Sequence, residues 1–338
     1  MESQEGIGDA PRWEDMNKDI LSNIFKKLSV VDVIMGASRV CINWFLASHN
    51  KTIWSTIKLN DLDSILLDNH YVPHMQDNDR EKHRYHLRKI LIEINKFGPI
   101  VPTNFFFNVY SYLVEEDLAI ISNGIPNIRK LALPMWKTLN LNSIQEAFSK
   151  WKNLQTLTMA PLISLGDTLS LELQAIGDNC RYLTNIKFLY RLDKDLASMI
   201  VCNFPSLERL SFRSSYACVD AAISLINGLP NLKIFNLSHC IFTQSNKIRN
   251  KIDDNRVSVQ PNGVVGKTFR VLGMKPEEEL VQTGTKKLVR FMVCASDCTI
   301  CQDVWEHFGL YNPDRQTLES RYFREEQWKT DEIKEFEF

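Results

Sequence analysis

One spacing recurs five times in this chain and leaves few folds open to it. An apolar residue is followed by others three, seven, ten, thirteen and fifteen positions later. Leu118, Ile121, Ile125, Ile128, Leu131 and Leu133 fill it first, then Ile144, Ala147, Trp151, Leu154, Leu157 and Met159. It returns at Leu173, Ile176, Cys180, Leu183, Ile186 and Phe188, and at Ala197, Ile200, Phe204, Leu207, Leu210 and Phe212. The fifth copy is Ala222, Leu225, Leu229, Leu232, Phe235 and Leu237. The first half of each unit has the spacing of one helix face, and the second half alternates with the period of a strand. Pro126-Asn127, Pro205-Ser206 and Pro230-Asn231 punctuate the joints between halves.

A helix and a strand every 24 to 29 residues make a unit too small to bury its own apolar side. Stacked in register, such units share one continuous core. The fold class expected is therefore α/β: a leucine-rich-repeat solenoid over residues 91–242, with parallel strands inside and helices outside. A degenerate unit with Phe105 and Phe107 as its strand is expected ahead of the five, where Pro99 and Pro102 break the template. Cys180 and Cys240 stand where the cysteine-containing subclass of these repeats, which the units resemble, often has Cys.

The first sixty residues follow a different rule. Ile20, Leu21, Ile24, Phe25 and Leu28 share helical spacing, and Ser29 with Asp32 reads as an N-cap opening a second helix near Val30. A third helix is expected near Arg39, with Val40, Cys41 and Trp44 facing one way, and Trp54 closes the segment. Three short helices in some forty residues make a weak independent core and gain by docking on a partner. This stretch, residues 11–58, resembles the F-box, in its paired apolar residues, its Val40-Cys41-x-x-Trp44 motif and its closing Trp54. Met16-Asn17 replaces the family's usual Leu-Pro, and Phe45 stands where a basic residue is common. The resemblance implies a Skp-type adaptor as partner, and through it a cullin and a ubiquitin-conjugating enzyme. It assigns adaptor contact to Met16, Ile20, Leu21, Ile24, Phe25, Leu28, Val40, Trp44 and Trp54.

Alternation along the repeat strands predicts which side chains leave the core. If Leu131 and Leu133 point inward, Lys130 and Ala132 face the concave surface. The same count places Thr156, Thr158, Asn185, Lys187, Arg209, Ser211, Ile234 and Asn236 there. The surface carries Lys130, Lys187 and Arg209 and no acid, which suits a target with acidic features. A solvated sheet face, with the target held by loops or tail, remains the alternative.

Residues 59–90 read as a linker and helix. The histidines at 70, 74, 83 and 86 match no compact zinc spacing. Residues 243–338 read as a tail in which the repeat stops after Phe242. Gly263 to Thr268 imitates part of a phosphate-binding loop, but Pro261 occupies the position that needs Gly. Cys294, Cys298 and Cys301, with His307 beyond, offer zinc-type ligands at intervals of no familiar finger, so no metal or other cofactor is expected. Trp328 to Glu332 resembles C-terminal segments of plant F-box/LRR-repeat proteins, and the tail of residues 243–338 is expected to cap the open end of the array.

Composition narrows the function further. A net charge of -1 provides no global excess of base for nucleic-acid phosphates. No apolar run approaches a membrane span, and no secretory leader is read at Met1 to Trp13. The eight cysteines are expected to be free thiols in a reducing nuclear or cytosolic setting. No nucleophile–base set, nucleotide fingerprint or carboxylate pair survives scrutiny. The sequence thus reads as a non-catalytic receptor subunit of a SKP–cullin–F-box ubiquitin ligase, bridging adaptor and target. The competing reading is a repeat scaffold whose F-box is degenerate.

Overall fold

In a computed structural model, the described residues are 12–59, 77–97, 102–108, 111, 113–134, 139–159, 168–245, 256–257, 269–294, 298–302 and 328–337. A 3-10 turn at Trp13–Asp15 leads into four short helices: α1 (Lys18–Phe25), α2 (Val30–Met35), α3 (Ile42–Ser48) and α4 (Lys51–Trp54). Helix α1 starts where Asn17 accepts a hydrogen bond from the Asp19 amide at 2.7 Å, so an asparagine cap opens the helix at the Met16-Asn17 departure. Ser29 caps α2 by accepting from the Asp32 amide, while its hydroxyl donates to the Asp32 carboxylate. The third helix begins at Ile42 rather than near Arg39, because a 3-10 turn at Ala37–Arg39 intervenes and leaves Val40 outside the helix.

Strand β1 (Thr56–Lys58) follows, then α5 (Asp77–Lys96), β2 (Asn104–Phe106), α6 (Glu115–Gly124), β3 (Lys130–Leu133), α7 (Leu141–Lys150), β4 (Thr156–Met159), α8 (Thr168–Asn179) and β5 (Asn185–Phe188). Next come α9 (Lys194–Asn203), β6 (Arg209–Ser211), β7 (Tyr216–Cys218), α10 (Val219–Gly228) and β8 (Ile234–Asn236). The remainder contributes β9 (Ile241–Ser245), β10 (Arg256–Val257), β11 (Phe269–Gly273), α11 (Glu278–Lys287) and β12 (Arg290–Met292).

The main sheet has the order β1-β2-β3-β4-β5-β6-β8-β12, and all its pairings are parallel. The template positions line up across it: Leu131 pairs with Leu157, Leu157 with Ile186, Ile186 with Leu210 and Leu210 with Phe235. These five side chains are fully buried, each contributing roughly 1.5–3 kcal/mol relative to an exposed position. Phe105 and Phe107 are buried with ring centroids 4.9 Å apart, and Phe105 lies on β2, which pairs in parallel with β3. Cys180 and Cys240 are buried too, their thiols reaching backbone carbonyls of the preceding unit: Cys240 meets Phe212 O at 3.1 Å, and Cys180 meets Trp151 O at 3.7 Å.

The array does not stop at Phe242. After an insertion that builds a second sheet, β10-β11-β9-β7, helix α11 and strand β12 resume the repeat. Phe291 of β12 aligns with Phe235 of β8. Leu288, Phe291 and Val293 fill the strand half of the template, while Glu278 and Thr285 stand where its helix half wants apolar residues. A terminal unit turns its outer side to water, so its helix can be polar and escape an apolar search. At the other end, Trp54 stacks against Phe97 with centroids 4.6 Å apart, and β1 pairs with β2. One apolar cluster therefore runs from the N-terminal helices through the array.

Candidate functional site

The residues assigned to adaptor contact divide into two sets. Leu21, Phe25 and Trp54 are buried and hold the helices together from inside. Ile20, Ile24, Leu28 and Val40 are 53%, 39%, 40% and 60% exposed, apolar side chains with no core to enter. The five residues expected on one helix face thus lie on two neighbouring ones, Leu21 and Phe25 turned inward and Ile20 and Ile24 outward. Ile42, Phe45 and Leu46 are exposed as well, the signal that the position-by-position resemblance missed. Met16 is half-buried against the core. Trp44 is partly buried, its indole N–H donating to Trp13 O at 3.1 Å and its ring 5.4 Å from Phe25. It fixes the chain entering α1. These apolar side chains stay open to water beside a core that continues into the array.

The concave row is a different matter. Thr156, Thr158, Asn185, Lys187, Ser211 and Asn236 all leave the core as alternation predicts, yet they are buried. Lys187, Ser211 and Asn236 lie under the chain's own C-terminal segment, residues 328–337. Trp328 is fully buried and its indole donates to Phe107 O at 2.9 Å. Lys187 donates to Thr330 O at 2.7 Å. Asp331 accepts from the Ser211 hydroxyl at 2.6 Å and from Asn236 at 2.8 Å. Glu332 accepts from Arg213 at 3.0 Å and from Asn236 at 2.6 Å. The segment then turns back along the first row of strand residues, where Glu335 lies 3.2 Å from Arg209 and the Glu337 carbonyl accepts from Lys130 at 2.5 Å.

The expected charge complementarity is therefore present, but the acidic partner is internal. The concave face is not open: of the ten residues in its row, Lys130, Arg209 and Ile234 alone keep part of their surface exposed. At the end of the sheet it is another part of the tail, β12, that lies beside β8. Alternation shows which side chains leave the core but not what lies on them, and Asp331, Glu332 and Glu335 were the available signal.

Burial governs the electrostatics of this face. It pushes the Lys187 ammonium down to about 8, against the pull of Asp331, and Lys130 likewise to about 8, against Glu335 and Glu337. Burial raises the Glu332 carboxyl, but His239, Arg213 and Asn236 outweigh it and hold the group well below the usual carboxylate range.

Near this face His239, Cys294, Cys298 and Cys301 bring their ligand atoms within 4.8 Å of one another. His307, the imidazole considered from sequence, lies outside the described residues, as do His70, His74 and the Gly263 to Thr268 fragment. The side chains of His83 and His86 are outside them too. Among the described residues no helix is long and apolar enough to cross a membrane.

Comparison with known proteins agrees with this architecture. Residues 13–56 match the F-box domain model. An F-box protein of Arabidopsis thaliana is 36% identical, over 98% of each chain. An F-box/LRR-repeat protein of the same plant is 26% identical over 95% of each chain, and a further one is 23% identical over 68% of this chain and 74% of its own. F-box proteins are in general non-catalytic adaptors. Likeness sustained from end to end goes well beyond one shared motif, and the chain belongs to the F-box/LRR-repeat proteins of plants.

Proposed function

We propose that this protein is the substrate-recognition subunit of a SKP–cullin–F-box ubiquitin ligase, acting in the nucleus or cytoplasm. The observation that carries the reading is the exposed apolar set at Ile20, Ile24, Leu28 and Val40. A Skp-type adaptor covers this set and removes its apolar area from water. The repeats hold a target near the conjugating enzyme, so the contribution to ubiquitin transfer is proximity rather than bond-making chemistry.

Target contact through the concave row requires residues 328–337 to lift, because Lys187, Ser211 and Asn236 have no surface to offer while Asp331 sits on them. An acidic target segment competes with Asp331, Glu332 and Glu335 for the same bases. Co-purification with a Skp-type adaptor, comparing wild type with Ile20→Asp/Ile24→Asp, tests the ligase reading. The wild type retains the adaptor and the variant loses it while melting as wild type does. Absence of wild-type binding leaves the scaffold reading in its place.

A further inference from the structure

Four residues from three places in the chain meet beside the last repeat strands. His239 stands in the turn after β8, with φ of 60°, a left-handed conformation that histidine adopts more readily than most residues. Ser214 holds the same turn one repeat earlier, with φ of 56°, so the turn belongs to the fold and the imidazole is what this unit adds. Cys294 follows β12 and reaches His239 because β12 pairs in parallel with β8. Cys298 immediately precedes the short helix at 299–302 and Cys301 lies within it, three residues on, a spacing that can put both thiols on one side.

The distances do not suit a hydrogen-bond network. The sulfurs of Cys294, Cys298 and Cys301 lie 3.1, 3.5 and 3.5 Å from a single atom, His239 Nδ1. That nitrogen has one lone pair in the plane of the ring and can accept from one thiol, not three. A shared cation removes the conflict. With metal–nitrogen and metal–sulfur bonds of about 2.0 and 2.3 Å, a tetrahedral ion sets ligand nitrogen and sulfur roughly 3.5 Å apart. The whole set within 4.8 Å holds one ion and is too tight for an iron–sulfur cluster.

The surrounding contacts match those of metal sites. The other imidazole nitrogen, Nε2, lies 3.2 Å from Glu332 Oε1, the carboxylate–histidine pairing that turns the free nitrogen toward a metal. The His239 backbone N–H donates to Cys294 Sγ at 3.2 Å, a bond that favours the thiolate. His239 and Cys301 are buried, which shields the ligands from water.

We propose that His239 Nδ1, Cys294, Cys298 and Cys301 bind one structural zinc ion. Four protein ligands leave no open position, so the ion is structural rather than catalytic. It joins the β8 turn to the chain beyond β12, and through Glu332 it also steadies the C-terminal segment on the concave face. The three cysteines at unfamiliar intervals become intelligible once the fourth ligand is drawn from the repeat array instead of from His307. Each ligating thiol gives up its proton to solvent as the ion enters.

The test is metal analysis of the full chain purified with its adaptor, together with cobalt substitution. One zinc per chain is expected, and cobalt should give the visible bands of a tetrahedral thiolate site. Cys298→Ser should lose the metal, whereas Cys202→Ser, at an exposed cysteine outside the cluster, should keep it. Glu332→Gln should weaken metal retention roughly 10–100-fold with all four ligands intact. Adaptor capture by each variant shows that the N-terminal helices stay folded. Wild-type chain that carries no zinc after metal-replete expression and gives no tetrahedral cobalt spectrum overturns the proposal. So does a disulfide among Cys294, Cys298 and Cys301, or Cys298→Ser retaining zinc as wild type does.

Discussion

Lys187 Nζ lies 3.4 Å from Asp331 Oδ2, and both side chains are fully removed from water. The pair fastens the C-terminal segment to the middle of the repeat sheet. Removing one member of a buried ion pair strands the other charge, at about 3–5 kcal/mol, whereas replacing both with apolar groups is often neutral. Lys187→Met should therefore lower stability by about that amount and free residues 328–337 for proteolysis. Lys187→Met/Asp331→Leu should recover most of the loss. Denaturant midpoints of the two variants, with limited proteolysis of the C-terminus, check this.

The same lysine predicts a pH dependence with a definite sign. Its folded value of about 8 lies below the ~10.4 of an unfolded lysine. Between those values the unfolded chain binds a proton that the folded chain lacks, so stability gains as pH rises. Below pH 8 both states are protonated and the effect vanishes. Wild type should gain stability relative to Lys187→Met between pH 8 and 10, by up to ~1.4 kcal/mol per unit. Equilibrium unfolding in parallel buffers measures the difference.

The two sets of apolar residues in the N-terminal helices should part company on mutation. Phe25→Ala empties a core position beside Trp44 and should lower stability by about 3–5 kcal/mol. Ile20→Asp lies on the surface and should change stability by less than about 0.5 kcal/mol while abolishing adaptor capture. Thermal melts and adaptor pull-downs of both variants separate the packing role from the contact role.

A close approach between neighbouring repeats gives a further expectation. A Cβ at Gly177 on α8 meets the Asn203 carbonyl oxygen at the end of α9. Alanine is the better helix former by about 1 kcal/mol, yet here it forces two stacked helices apart, at about 1–3 kcal/mol. Gly177→Ala should be net destabilising, as read from its denaturation midpoint.

Much of the fold was legible because stacking repeats impose one spacing on many residues. Leu157 and Ile186 announce their inward direction simply by alternating with Thr156 and Asn185. The unit of α11 and β12 was hidden because a terminal helix meets water and keeps little of the apolar code. The covering of Lys187 by Asp331 was hidden for another reason: no periodicity relates a strand residue to a partner far away in the chain. His239 was invisible as a metal ligand on the same ground. Its three partners become neighbours only when β12 docks beside β8. In the F-box, spacing identified the module but could not separate Ile20 from Leu21, which differ only in which helix face meets α3 and the core.

The central claim is that the N-terminal helices recruit a Skp-type adaptor through side chains left open on their surface. Titration of the purified chain against that adaptor, beside Ile20→Asp/Ile24→Asp, tests it most directly. Saturable one-to-one binding by wild type, lost in a variant with an unchanged melting temperature, is the result expected. Failure of folded wild type to bind, or equal binding by the variant, contradicts it.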